Sequence, residues 1–224
     1  MTKFEGELAD LDRRLFGMAE DTRTLLRLAV AAIRHRREDV GDEARTIEQR
    51  LAGAQSEIDL AAVRMMTTYG PDAGSLRYLL GCMNLTEQRA HICEQTIHIC
   101  DSLRMMTSNP LLHVTHAAVT QMTDEVVNIV NDSIDAYAMR DSMKAEATRQ
   151  KTEIVDALND QVVTELLTDQ VLKDIAVGNG VAGDPCTQVL QARHLQRIAD
   201  RAVNICNEVI HMMRSDLPAG KIEC

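Results

Sequence analysis

The chain is poor in aromatic and helix-breaking residues. Only 2% of its 224 residues are aromatic, Trp is absent, and there are four prolines. Folds built from β-sheets depend on aromatic and β-branched side chains, so this composition argues against them. The apolar fraction of 45% must come mainly from Leu, Ile, Val, Met and Ala, most of which favour helices. We therefore expect an all-α fold with an aliphatic core.

Basic surplus and long apolar runs are also missing. The chain has 24 basic and 34 acidic side chains, a formal charge of −10, whereas nucleic-acid binders carry a basic stripe. Its one dense basic run, residues 34–37, is followed at once by Glu38 and Asp39, which favours a solvated helix end over a phosphate contact. No apolar run approaches the roughly 18–20 residues of a membrane span. We expect neither nucleic-acid binding nor membrane insertion.

The six cysteines form no CxxC pair, and three of them fall in one predicted helix. This spacing is typical of small buried thiols in a reducing compartment. The first ten residues carry acids where a secretion signal would carry an apolar core. Both observations predict a cytoplasmic protein.

All four prolines lie where helical periodicity breaks, as expected from their cost of about 3 kcal/mol inside a helix. Arg140-Asp141 is predicted to be a tight turn, and the glycine-rich residues 178–183 a loop. Short connections between long helices force antiparallel packing, so each half should be an up-down-up three-helix bundle. The predicted helices cover residues 4–36, 40–69, 72–106, 113–139, 142–176 and 185–214.

The two halves are related in sequence. When Ile92-Cys93-Glu94 is placed over Ile198-Ala199-Asp200, the segment 97–100 (IHIC) falls over 203–206 (VNIC). Agreement in an acid, the isoleucines and a cysteine indicates an internal repeat. We predict a first repeat over residues 1–108, a second over 109–216 and a tail over 217–224.

The third predicted helix carries a polar stripe whose members, at intervals of four and three residues, share one face. Carboxylates and imidazoles are ligands for iron, manganese and zinc, and side chains four residues apart can share one ion. A solvent-facing stripe of ordinary surface residues is the alternative. The stripe comprises Glu87, His91, Glu94, His98 and Asp101.

Motifs for nucleophilic catalysis or nucleotide binding are absent from the sequence, which contains no GxSxG, no Gly-Lys-Ser/Thr loop and no HExxH. We expect no catalytic residues, no organic cofactor and no enzymatic activity.

Residues 192–205 read ARHLQRIADRAVNI, which resembles the signature A-R-x-L-E-R-I-[AG]-D-H-A-x-N-I of the PhoU family. In the first half, residues 76–80 (LRYLL) after Pro71 give a weaker match to the family pattern P…L-R-x-[IL]-L. Two repeats of three helices agree with the family as well, so the resemblance extends over nearly the whole chain.

The resemblance implies a negative regulator of phosphate uptake and phosphate-starvation signalling. PhoU-like proteins couple the phosphate ABC transporter ATPase to a sensor histidine kinase, and a homodimer is expected. Such an adaptor would offer acidic helical surfaces to its partners. The alternatives are a metal-binding helical bundle, acting as a metalloenzyme or metal store, and a purely structural scaffold.

The resemblance also bears on metal binding, because several family members bind iron or other metals through an E(D)-x-x-x-D motif in each repeat. This chain departs from the motif, with Gln196 in place of the second-half Glu and Ala90 and Glu94 in the first half. The Glu and His residues of the third helix could compensate. The candidate ligands for iron, zinc or manganese are Glu87, His91, Glu94, His98, Asp200 and Asn204.

Overall fold

The computed structural model describes residues 2–35, 40–104, 117–177 and 183–213. These residues are helical apart from short turns and contain no strand, which confirms the all-α prediction. The seven helices of the described residues are α1 (Lys3–His35), α2 (Val40–Tyr69), α3 (Ala73–Arg104), α4 (Ala117–Met139), α5 (Ser142–Arg149), α6 (Thr152–Val177) and α7 (Gly183–Met213).

The turns between helices follow from local chemistry. Gly70 ends α2 with φ of +52°, a left-handed conformation that glycine adopts without a Cβ clash. Asp72 then caps α3 by accepting hydrogen bonds from the backbone N–H groups of Gly74 and Ser75, at 2.8 and 2.9 Å. These bonds and the Ser75 hydroxyl lower the pKa of the Asp72 carboxyl.

Arg140 and Asp141 form the predicted tight turn after α4. Arg140 takes φ of +53°, unusual for a side chain with a Cβ. The Asp141 carboxylate caps α5 by accepting from the N–H groups of Met143 and Lys144, at 3.0 and 2.9 Å. The predicted loop at 178–183 lies outside the described residues, except that Gly183 begins α7.

The single helix predicted over 142–176 is wrong, because the structure divides it into α5 and α6 at residues 150 and 151. Neither proline nor glycine is present there. The Thr148 and Thr152 hydroxyls donate to the carbonyls of Lys144 and Arg149, at 2.8 and 3.0 Å, and such side-chain bonds bend helices. The backbone tightens at the same place, with the N–H of Lys151 bonded to the carbonyl of Thr148 at 3.1 Å.

The two halves share one aliphatic core. Buried side chains from Leu11 on α1 to Met212 on α7 form one connected cluster. Helices α3 and α7 pack against each other more extensively than any other pair, so they form the centre of the molecule. Helix α2 packs on α1 and α3, and α6 packs on α4 and α7, which leaves α2 and α6 on the outside.

The fold bears on two predictions, that the cysteines are buried thiols and that no helix spans a membrane. Cys82, Cys93, Cys100 and Cys206 are buried, as expected for small core thiols. The side chains of the other two lie outside the described residues. None of the helices in the described ranges has the length and hydrophobicity to cross a bilayer.

Candidate functional site

The predicted stripe lies along α3, and its members interact weakly with one another. His91 has its Nδ1 3.5 Å from Glu94 Oε2 and its Nε2 3.8 Å from Glu87 Oε1. The Nε2 of His98 lies 3.9 Å from Glu94 Oε1. Because these side chains are one-third to two-thirds exposed, such ion pairs contribute only tenths of a kcal/mol. Asp101 instead pairs with Arg45 of α2 at 2.6 Å.

The predicted residues of α7 do not join the stripe. Asp200 faces α6, where burial first and the nearby Asp156 carboxylate second raise its pKa, opposed by Arg201. Gln196 also turns to α6, since its amide donates to Asp156 Oδ1 at 2.6 Å. Asp200 is therefore separated from the four candidate ligands of α3, whereas Asn204 turns toward Gln88 of α3.

His98 and His194 meet across the contact between α3 and α7. Their rings are stacked, with centroids 5.1 Å apart and an interplanar angle of 24°. The Nδ1 of His194 lies 2.9 Å from Gln95 Oε1, within hydrogen-bond distance. Burial, then His98, then Arg197 lower the pKa of His194, so its neutral form is favoured.

A second polar cluster lies farther along the same contact. The Oε1 of Gln88 on α3 accepts from the Asn204 amide at 3.1 Å and from Arg201 Nη1 at 3.5 Å. The two clusters have the same plan, and the offset between their members is the one that separates Ile92 from Ile198. Gln88, Gln95 and His98 of α3 correspond to His194, Arg201 and Asn204 of α7, respectively.

Because equivalent residues of α3 and α7 make the same contacts in both clusters, the two helices are related by a pseudo-two-fold axis. Two subunits are related in the same way in an isologous dimer interface. This observation supports the predicted internal repeat and its register. It also shows that the polar residues of the α3–α7 contact are used mainly to join the two helices. The division of the chain at residues 108 and 216 falls outside the described residues and stays a prediction.

A metal ion would need several ligands converging on one point. In the part of the chain that the structure describes, no three His, Cys, Asp or Glu side chains do so. The stripe on α3 is a line of side chains rather than a cage, and Asp200 lies on another face. Metal binding by these residues stays a prediction.

Sequence reasoning missed the most unusual buried residue, Arg89. It is fully buried on α3, its Nη1 donates to the Leu15 carbonyl at 2.9 Å, and its guanidinium lies over the Tyr137 ring at 5.6 Å. Its Nε and Nη2 have no hydrogen-bond partner among the described residues. The repeat supplies the only sequence signal, because the counterpart of Arg89 is the buried Leu195.

Arg89 adjoins a polar cluster that connects the two halves. Asp12 of α1 accepts from the hydroxyls of Tyr78 on α3 and Tyr137 on α4, at 2.5 and 3.0 Å. Arg140 reaches Asp12 at 3.4 Å and lies over the Tyr78 ring at 5.2 Å. Burial is the largest cause of the raised pKa of Cys82, about 12, and of the raised pKa values of both tyrosines.

Residues 119–209 match the family model of the PhoU domain. The predicted resemblance is thereby confirmed, and the matched segment contains α5 and α6 together with most of α4 and α7.

Curated relatives and solved structures agree with this result. A phosphate-specific transport system accessory protein PhoU homolog of Caulobacter vibrioides is 26% identical over 206 residues, covering 92% of this chain and 86% of the relative. A homolog with the same name from Aquifex aeolicus is 24% identical and covers 75% of each chain.

The fold is similar to two PhoU crystal structures. PhoU from Pseudomonas aeruginosa superposes with a TM-score of 0.85 at 21% identity, over 94% of this chain and 98% of that one. The phosphate transport system regulatory protein PhoU from Streptococcus pneumoniae gives 0.83 at 18% identity, over 94% and 96%. The PhoU fold therefore extends over both halves, including the first half outside the matched domain.

Proposed function

We propose that this chain is a cytoplasmic, non-enzymatic regulator of phosphate transport that holds phosphate uptake and phosphate-starvation signalling down when phosphate is plentiful. The observation that carries the proposal is the PhoU domain at 119–209 within a PhoU fold that covers 94% of the chain. The relatives are named accessory or regulatory proteins of phosphate transport, which supports the same role.

The regulator would act as an adaptor between the phosphate ABC transporter ATPase and a sensor histidine kinase, and it would self-associate as a homodimer. Helix α6 offers a suitable surface, because it lies on the outside and its outward face is acidic. A partner with a basic face would be attracted to it and oriented by charge. The exposed acids of this face are Glu153, Asp156, Asp160 and Glu165.

Copurification of the full chain with the transporter ATPase and the sensor kinase tests the adaptor role directly. We expect both partners to be retained by the wild type and lost or weakened when Glu153 and Asp160 are changed to Lys. The matched control changes two exposed acids of α2, Glu43→Lys and Glu48→Lys, and should retain both partners. Absence of both partners from the wild type would refute the adaptor role.

The regulatory role has its own test in cells. Deletion of the gene should raise phosphate uptake and starvation signalling in phosphate-rich medium, and the wild-type chain should restore the low level. Uptake that does not respond to the deletion would contradict the role, whatever the copurification shows.

Metal binding by the α3 stripe is the second candidate, and the observation that favours it is the approach of His194 to His98, which has Glu94 at 3.9 Å. The side chains would have to rotate to converge on iron, zinc or manganese. Elemental analysis of untagged protein should show stoichiometric metal that is lost in the Glu94→Ala, His98→Ala double variant and kept in His211→Ala. A wild type without metal would refute it.

A further inference from the structure

The outward face of α2 carries an uncharged stripe with the spacing of a helix–helix interface. Its two aliphatic members point away from the core, with Leu60 72% and Val63 47% exposed. The intervals of three, four, three and four residues are those of the a and d positions of a coiled coil, which keep facing a partner helix. The α2 stripe consists of Gly53, Ser56, Leu60, Val63 and Thr67.

The hydroxyl groups of the α2 stripe donate their hydrogen bonds within the helix. The Ser56 hydroxyl donates to the Ala52 carbonyl at 3.2 Å, and the Thr67 hydroxyl donates to the Val63 carbonyl at 3.0 Å. Because both hydroxyl protons are already bonded within α2, covering them requires no new partner. The free-energy cost of removing the stripe from water is therefore small along its whole length.

On the side of the α2 stripe that adjoins α1, the charged side chains are already paired within the chain. Glu57 binds Arg14 of α1 at 2.5 Å, and Arg64 binds Glu7 of α1 at 3.4 Å. Between these pairs lies a groove of about 490 Å³ that Leu60 borders. A partner helix on the stripe would thus meet paired charges and an adjacent recess for its side chains on the α1 side.

The order of residues along the α2 stripe makes it complementary to itself. Small residues, Gly53 and Ser56, occupy one half, and Leu60 and Val63 occupy the other. If a second α2 runs antiparallel across it, Leu60 of each copy lies opposite Ser56 of the other, and Val63 lies opposite Gly53. Such two-fold pairing is the rule for homodimer interfaces.

We propose that a second copy of this chain docks on the α2 stripe, in an antiparallel contact between the two α2 helices. The inference rests on the self-association included in the proposed function and names its surface. Helix α6 occupies the corresponding outer position in the second half, but its outward face is acidic and would repel its own copy. The stripe spans 15 residues, about 22 Å, a small area for a specific interface, so the dimer should dissociate on dilution.

Sedimentation velocity over a series of protein concentrations tests the proposal. We expect the wild type to dimerise and Leu60→Glu to raise the dissociation constant by at least roughly tenfold, since it places two carboxylates at the centre of an apolar contact. The matched control is Ile154→Glu, which makes the same kind of change at an exposed aliphatic residue of α6 and should dimerise as the wild type does.

A second variant separates the interface from the fold. A Cβ added at Gly53 would meet nothing within 4 Å in the single chain, so Gly53→Gln should fold normally and yet weaken the dimer. If the wild type dimerises and Leu60→Glu and Gly53→Gln do so equally well, the surface is wrong while self-association stands. A wild type that stays monomeric refutes both, and copurification tests the regulatory role separately.

Discussion

Replacement of Arg89 by methionine should stabilise the protein. A buried guanidinium loses its hydration, and that cost is several kcal/mol per ion. In return, Arg89 gains one hydrogen bond to the Leu15 carbonyl and one contact with the Tyr137 ring. No carboxylate of the described residues pairs with it, and burial accordingly lowers its pKa.

The size of the effect follows from these opposing contributions. A hydrogen bond from a charged donor contributes roughly 1.5–3 kcal/mol and a desolvated cation–π contact about 2 kcal/mol, which together do not clearly exceed the desolvation cost. Replacing buried ions with apolar side chains of similar volume has stabilised other proteins by about 1–4 kcal/mol. Methionine suits the irregular space because it is unbranched and flexible. We expect a gain of about 1–2 kcal/mol, or roughly 2–8 °C in Tm for a domain of this size.

Thermal and urea unfolding of the wild type, Arg89→Met and Arg89→Ala provide the assay. The alanine variant leaves a cavity and should be less stable than the methionine variant by about 2–4 kcal/mol. If Arg89→Met is less stable than the wild type, the contacts with Leu15 and Tyr137 outweigh desolvation and the reasoning is refuted.

Three further predictions concern stability. The lowered pKa of His194 means that the folded state favours its neutral form. The free energy of unfolding should therefore be highest above the ordinary pKa of 6.5 and fall as the pH drops below that value. Urea titrations between neutral and mildly acidic pH should show a smaller fall for His194→Gln than for the wild type. Gly17→Ala should add about 0.5–1 kcal/mol, because helix propensity improves and no atom lies within 4 Å of the new Cβ. Gly81→Ala should gain nothing in the same assay, because its Cβ would lie 2.6 Å from Met212 Sδ.

The helices could be predicted because their ends have strong chemical signals. Gly70 with Pro71, and Arg140 with Asp141, placed two turns correctly. The division between α5 and α6 escaped prediction because it depends on threonine hydroxyls bonded to their own helix, a weak signal beside proline or glycine. Helical periodicity also does not indicate which neighbouring helix a polar face contacts.

The candidate site shows the same limit. Periodicity placed His98 correctly on one face of α3, but no pattern in the sequence indicated that His194 of α7 would meet it. The burial of Arg89 could not be inferred from its residue type, since arginine is almost never fully buried without a partner. The first feature depends on the packing of α3 against α7, and the second on the packing of α3 against α1 and α4. No local pattern describes either contact.

The central position of α3 and α7 has a consequence for synthesis. Residues 105–182 separate these helices, so the side of α3 that packs on α7 has no cover while the intervening chain emerges from the ribosome. Contacts so distant in sequence also slow folding, because a long loop must close before they form. The nascent chain should thus pass through a long interval in which a chaperone is useful, and removal of α7 should leave an aggregating product rather than a folded first half.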